Sequence, residues 1–415
     1  MDGGEPRANF VTVVSSPSFH IESVPALSAP FVHRPLSEQA PEEKVAQTAT
    51  RFVRSPSAKL SSAKLWIPKQ VLFTPAALDQ PWGQQIFERV SQMGLPVKKL
   101  KNNRVTGLRG KTERETYANA KQTMAVVTAP PSALKLQPIP PSADWQFHLA
   151  EGCPAHCQYC YLASSLSGPP VIRVFANLLE ILENTEHYKG PKGSPSTPNP
   201  ERPTSFEVSC YTDPLSLEHL TGSLGECIRY FGTQENKHLR WVSKFDNVEP
   251  LLGIEHNGHT RCRASVNADP VARGFEGGTA SVENRLQALR RLALPKAQGG
   301  GGYPVGLVMA PIMAFENWQA HYTALFEQAA EALDFDCDLT FELISHRFTA
   351  KSKDVLNEWY PASKLDMEMD RRTTKRNKFG GTKYVYDKVT SAELKDFFEE
   401  AIAHYFPQAE ILYWT

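Results

Sequence analysis

The chain has 415 residues, 41% hydrophobic and 22% charged, with 45 Lys plus Arg against 45 Asp plus Glu. That length suits one large domain with an appendage, or two domains. The zero formal charge excludes a whole-surface attraction to polyanions, so any nucleic-acid contact has to be a local basic patch. No apolar run is long enough to cross a membrane. The opening MDGGEPRANF lacks the apolar stretch of a secretory leader, so a cytoplasmic protein is expected.

Residues 1–64 are rich in Pro, Ser and Ala without a sustained period, and read as a mostly disordered extension. Order is expected from Leu65-Trp66-Ile67-Pro68, with a strand at Gln70–Phe73. A helix follows over Trp82–Met93, where Ile86, Val90 and Met93 fall at helical spacing. Lys98–Lys121 is a basic stretch and Met124–Thr128 reads as a further strand. Residues 65–129 are therefore assigned to a small α/β cap. Pro130–Pro141 is a proline-rich connection.

From about Phe147 short apolar runs alternate with helical segments. Strands are predicted at Phe206–Val208, Leu239–Val242, Thr260–Val266, Val305–Met309 and Thr340–Ile344. Helices are predicted at Val174–Asn184, Glu218–Phe231, Val282–Leu292 and Trp318–Leu333. Such alternation implies an α/β fold with a parallel sheet, here a partial (β/α)6 TIM-like barrel over 130–365, with its site at the strand C-terminal ends. Residues 190–204, with five prolines, interrupt it as a loop. Gly299–Gly302 lacks the Lys-Ser/Thr pair of a phosphate cradle and reads as a flexible surface loop. The segment 366–415 is expected to form a hairpin, a helix through Leu394, Phe397, Phe398 and Ile402, and a last strand at Glu410–Trp414.

Seven cysteines are too few and too scattered for a disulfide framework, but three fall within residues 153–160. Cys153-Pro-Ala-His-Cys157-Gln-Tyr-Cys160 has the spacing C-x3-C-x2-C. Thiolates are the usual protein ligands of iron–sulfur clusters. Three on one loop hold three irons of a [4Fe–4S] cubane and leave the fourth open, as in enzymes that bind S-adenosylmethionine (SAM) there. A structural zinc site is the competing reading, but zinc takes four closed ligands and usually pairs CxxC units. A DNA-binding module with a structural metal is the corresponding non-enzymatic alternative.

The surroundings of this loop resemble the spore photoproduct lyase family of radical SAM enzymes. The resemblance is carried by Gly152–Leu162, Phe206-Glu-Val-Ser-Cys210-Tyr-Thr-Asp213, Val242-Ser-Lys244-Phe, His256-Asn-Gly-His-Thr260, Ser265-Val-Asn267-Ala-Asp269, Val305-Gly with Ala310-Pro-Ile312, Phe341–Phe348 and Lys383-Tyr-Val-Tyr386. It spans about residues 65–415. It implies repair of the thymine dimer 5-thyminyl-5,6-dihydrothymine in DNA through a 5′-deoxyadenosyl radical, with electrons from a flavodoxin- or ferredoxin-like donor. A relative acting on another lesion or nucleic acid is the alternative within the same ancestry.

The resemblance also implies residue roles. Cys210 aligns with the hydrogen-atom donor; the alternatives are a buried core thiol or a fourth cluster ligand. Tyr161 and Tyr159 match tyrosines of a radical relay, against plain packing around the cluster. Lys244, Ser265, Asn267 and Ala310 match SAM-contacting positions, as do Tyr161 and Thr212, the last standing where serine is common. The basic run holding Arg371, Arg372, Lys375, Arg376, Lys378, Phe379 and Lys383 matches a lesion-contacting hairpin. Its competing reading is a solvated charged loop. Lys378-Phe379 stands where an Arg-Tyr pair is expected.

Overall fold

The structure, a computed structural model, describes residues 65–165, 170–189, 202–376 and 381–415. The expected extension 1–64 and most of the 190–204 loop lie outside the described residues.

Six parallel strands form the curled barrel sheet: Ala143–Phe147, Thr204–Val208, Lys237–Ser243, Thr260–Val266, Val305–Ile312 and Leu339–Ser345. Glu410–Trp414 continues the sheet in parallel at one edge, and Gln137–Ile139 closes the other edge antiparallel to Ala143–Phe147. Helices Ser223–Gly232, Val282–Ala293, Trp318–Ala332 and Lys388–Tyr405 accompany these strands, and one large apolar core draws on strands and helices alike. Burying both faces of such strands supplies most of the driving force for this layering.

The barrel interior is polar. Arg263 donates to Glu342 at 2.8 Å and pairs with Glu207, while Arg240 also reaches Glu342. Two acids against two guanidinium groups leave this buried belt electrically balanced, the condition under which charges are tolerated away from water.

The second sheet has the order Val97–Lys99, Gln70–Phe73, Thr123–Val127, Ile172–Phe175, Ala150–Glu151. The cap therefore reaches past residue 129 and takes strands from both sides of the cysteine loop. Ile172–Phe175 corrects the expected helix Val174–Asn184: that apolar run is a strand, and the helix starts at Leu178. Gln137–Ile139 falls within the expected connection Pro130–Pro141, and Ala143–Phe147 lies just after it, where no strand was predicted.

The expected helix Glu218–Phe231 is two helices, Glu218–Thr221 and Ser223–Gly232, divided at Gly222, whose φ of 65° is left-handed. The glycine run is not a flexible loop either. Its amides bond the last turn of helix Val282–Ala293 and the residues just beyond that helix: Gly300 N to Pro295 O, Gly301 N to Arg291 O and Gly302 N to Leu294 O. A Cβ at Gly300 would lie 2.1 Å from the Leu294 carbonyl oxygen, so the run is a close-packed turn.

The remaining helices and strands stand within a few residues of expectation. The hairpin is present as Thr373–Arg376 paired with Thr382–Val385.

Candidate active site at the strand ends

The cysteine loop follows the first barrel strand. His156–Cys157 pairs antiparallel with Glu276–Gly277, placing Glu276 opposite Cys157. Lys121, buried on the cap helix Glu113–Lys121, donates to the carbonyls of Cys153 and Ala155. Cys160 N bonds Cys157 O at 3.3 Å. The loop backbone is thus fixed from two sides, and none of its three cysteines forms a disulfide.

Burial pushes the Cys153 thiol up to about 12 against the pull of Lys121, and raises those of Cys157 and Cys160 as well. Thiols so placed ionise when a metal supplies the compensating charge. Among the described residues no three His, Cys, Asp or Glu side chains are drawn to coordinating distance of one point. The donor set fits an iron–sulfur cluster by its chemistry: three soft donors on one loop whose carbonyls are otherwise engaged.

Beside the loop, consecutive strand ends bring Lys244, Ser265 and Ala310 together. Lys244 Nζ donates to Ser265 Oγ at 2.6 Å and Ala310 O at 3.3 Å. Asp213 fixes the approach, accepting from Lys244 N and Ser243 Oγ, each at 2.8 Å.

Glu276, unforeseen in the sequence, is the hub. Its carboxylate meets Lys244 at 3.2 Å and Arg285 at 2.6 Å and accepts from the Tyr159 hydroxyl. Burial alone would raise its pKa, yet Lys244 and Arg285 hold it below the usual carboxylate range. Buried Asp213 also faces Lys244, so the site gathers two cations and two acids around the strand ends.

Asn267 is committed inside the protein. It accepts from Tyr322 OH at 2.9 Å and donates to Pro311 O at 2.7 Å, bracing the strand end next to Ala310. Thr212 is not among this group. It lines a small cleft with Leu149, Val174 and Leu217, where its buried hydroxyl has no partner among the described residues.

Cys210 stands past Val208 on the neighbouring strand end. Ser209 before it has φ 62°, a left-handed conformation costing a non-glycine residue about 1–2 kcal/mol. The turn is held by Ser209 N to Phe147 O at 2.7 Å and by Leu149 N to Ser209 Oγ at 3.1 Å. The Tyr161 hydroxyl donates to the Cys210 carbonyl, tying the cysteine loop to this turn. Burial, with Glu207 nearby, raises the Cys210 thiol well above its ordinary range, so it keeps its hydrogen.

The hairpin joins the barrel through the Phe348–Tyr384 bridge. The Arg372 guanidinium lies 3.9 Å from the Tyr386 ring centre and turns toward His346. Arg371, Lys375 and Arg376 are exposed, Lys383 is half-buried, and Lys378 and Phe379 lie outside the described residues.

A polar half-barrel whose strand ends surround a three-cysteine loop defines a class: a partial-barrel enzyme of the radical SAM type. Comparison with known proteins narrows it. The spore photoproduct lyase family profile matches residues 66–415. Spore photoproduct lyase of Geobacillus sp. (strain Y412MC61) is 40% identical over 356 residues, covering 85% of this chain and 100% of the relative. That of Bacillus subtilis (strain 168) is 37% identical over 353 residues, covering 84% and 99%. A solved structure of a substituted spore photoproduct lyase, with bound AdoMet and dinucleoside spore photoproduct, superimposes with a TM-score of 0.77 at 38% identity. It covers 85% of this chain and 100% of that one. The chain belongs to the spore photoproduct lyase family.

Proposed function

We propose that this protein repairs DNA by reverting spore photoproduct, 5-thyminyl-5,6-dihydrothymine, to two thymines. The supporting observation is that relatives 40% and 37% identical over essentially their whole length are spore photoproduct lyases.

Cys153, Cys157 and Cys160 would hold a [4Fe–4S] cluster, which when bound supplies the electron that splits SAM into methionine and a 5′-deoxyadenosyl radical. Lys244 would bind the methionyl carboxylate, with Ser265 and the Ala310 carbonyl orienting its ammonium. Glu276 keeps that ammonium and the Tyr159 phenol in register. Asn267 acts through its bracing of the Ala310–Pro311 segment.

Removal of the C6 hydrogen of the lesion allows the methylene bridge to break, leaving a thymine methylene radical. Cys210 then gives up its thiol hydrogen atom: a C–H bond forms, the S–H bond breaks, and a thiyl remains. The protonated state favoured by burial is the one this step needs. Tyr161, bonded at the Cys210 carbonyl, is the nearest of the two tyrosines by hydrogen bonding to return a hydrogen atom to that sulfur, with Tyr159 next to it on the loop.

The target base has to leave the duplex, because C6 is shielded within the stack. Arg371, Lys375, Arg376 and Lys383 of the hairpin would bind the strand backbone during extrusion. Electrons are assigned to a flavodoxin- or ferredoxin-like donor, and the compartment to the cytoplasm. No helix among the described residues is long and apolar enough to cross a membrane.

The test is anaerobic reconstitution with iron and sulfide, then incubation with SAM, dithionite and the dinucleotide lesion. Release of thymine dinucleotide is expected. SAM cleavage with the lesion intact would redirect the assignment to another substrate, and one zinc without sulfide would overturn the enzyme.

A further inference from the structure

We propose that Arg347 and Lys383 form a clamp for a backbone phosphate of the lesion-bearing strand, beside the two tyrosines of the cysteine loop. The proposal rests on the repair reading above and deepens it. Arg347 lies just beyond barrel strand Leu339–Ser345, and Lys383 lies on hairpin strand Thr382–Val385. The two segments are pinned by Phe348 N to Tyr384 O at 3.2 Å and Tyr384 N to Phe348 O at 2.8 Å, with the two rings stacked at 5.4 Å. Residues 347 and 383 each neighbour the bridged pair, and Phe348 lines the same cavity as both of them.

Both line one cavity of about 170 Å³ with Tyr159, Tyr161 and Thr349, and no carboxylate is among its lining residues. Arg240, Arg263 and Arg285 each have an acid partner. Among the described residues Arg347, Lys383 and Lys375 have none. Lys375 is the cross-strand partner of Lys383, so three cations converge. Burial and their mutual repulsion lower the Lys383 amine from its ordinary range.

Converging cations without an acid are costly until an anion sits between them. A guanidinium fork with an ammonium matches two phosphate oxygens. The anion delivered to this place by the repair reaction is the phosphodiester of the strand. The SAM carboxylate belongs to Lys244, which does not line this cavity.

Two ligands separate phosphate recognition from lesion recognition: the dinucleoside lesion, which has no phosphate, and a tetranucleotide with the lesion at its centre. Binding is measured with reconstituted protein in the absence of SAM, so no turnover occurs. R347Q is expected to weaken tetranucleotide binding about 10- to 100-fold and dinucleoside binding less than about twofold. The slope of log affinity against log salt should fall by about 0.7. K383Q should act in the same direction, and R347K should recover part of the loss. Equal losses on both ligands in R347Q and K383Q, with unchanged thermal midpoints, overturn the clamp, as does an unchanged salt slope. Wild-type protein binding neither ligand overturns the repair reading and the clamp with it; wild type binding both equally well removes the clamp alone.

Discussion

Replacing Glu276 with Gln keeps the side chain's size and its ability to accept from Tyr159 but deletes one charge. The Glu276 side chain is 0% exposed, Arg285 1% and Lys244 15%. In E276Q two cations remain in a site that water barely enters. Removing one partner of a buried ion pair typically costs about 3–5 kcal/mol. The retained hydrogen bond and the partial exposure of Lys244 place the expectation near about 3 kcal/mol, which at this size lowers the thermal midpoint by roughly 5 °C.

Urea unfolding of the wild type and E276Q at pH 7 measures the difference. The pH dependence has a definite sign. Glu276 has a folded-state pKa below its usual value, so its contribution is complete above about pH 4.5 and is lost as pH falls through the lower folded value. The gap should therefore persist at pH 5 and close only in stronger acid. Adding Lys244→Met to E276Q should restore part of the stability, because one unpaired cation is removed. A gap under about 1 kcal/mol at pH 7, or one already closed at pH 6, would refute the ionic hub.

Cys210→Ala should retain iron loading and SAM cleavage but yield less thymine and more trapped by-products; loss of iron would make Cys210 a ligand. His346 is buried next to Arg372, and its pKa is pushed down to about 3. The unfolded chain binds the proton first, so this group removes about 1.5 kcal/mol of stability between pH 6.5 and 5. His346→Gln should flatten the stability profile by that amount, and an unchanged slope would show that the imidazole is not held neutral. Lys121→Met should reduce iron per chain after reconstitution by freeing the Cys153 and Ala155 carbonyls. Full loading in that variant would remove Lys121 from the support of the loop.

The cysteine loop was legible because its three thiols lie in eight residues, and strand-end residues such as Lys244 were reached through the family resemblance. Glu276 was not, because it reads locally as an acid before a Gly-Gly turn. Its meaning depends on a pairing with Cys157 across more than a hundred residues. Ile172–Phe175 was hidden because its apolar run continues into helix Leu178–Asn184, and periodicity cannot divide such a run. Ala143–Phe147 was missed because Ala-Asp-Trp-Gln-Phe lacks β-branched residues and takes its place through pairing with Thr204–Val208. Arg372 looked like its basic neighbours; only the tertiary position of Tyr386 sets it apart.

The chain leaves the barrel sheet at Phe147, enters the cap sheet at Ala150–Glu151, forms the cysteine loop, and returns to the cap sheet at Ile172–Phe175. Both flanks of the loop are therefore sewn into hydrogen-bonded ladders, one of them shared with residues far upstream. On the proposed cluster assignment, metal capture and cap folding should be coupled: loosening the cap is expected to lower the affinity for iron, and loading iron to slow amide exchange in strands Gln70–Phe73 and Thr123–Val127. A shortened chain starting at the barrel would lose the seam that shapes the loop, even with every cysteine intact.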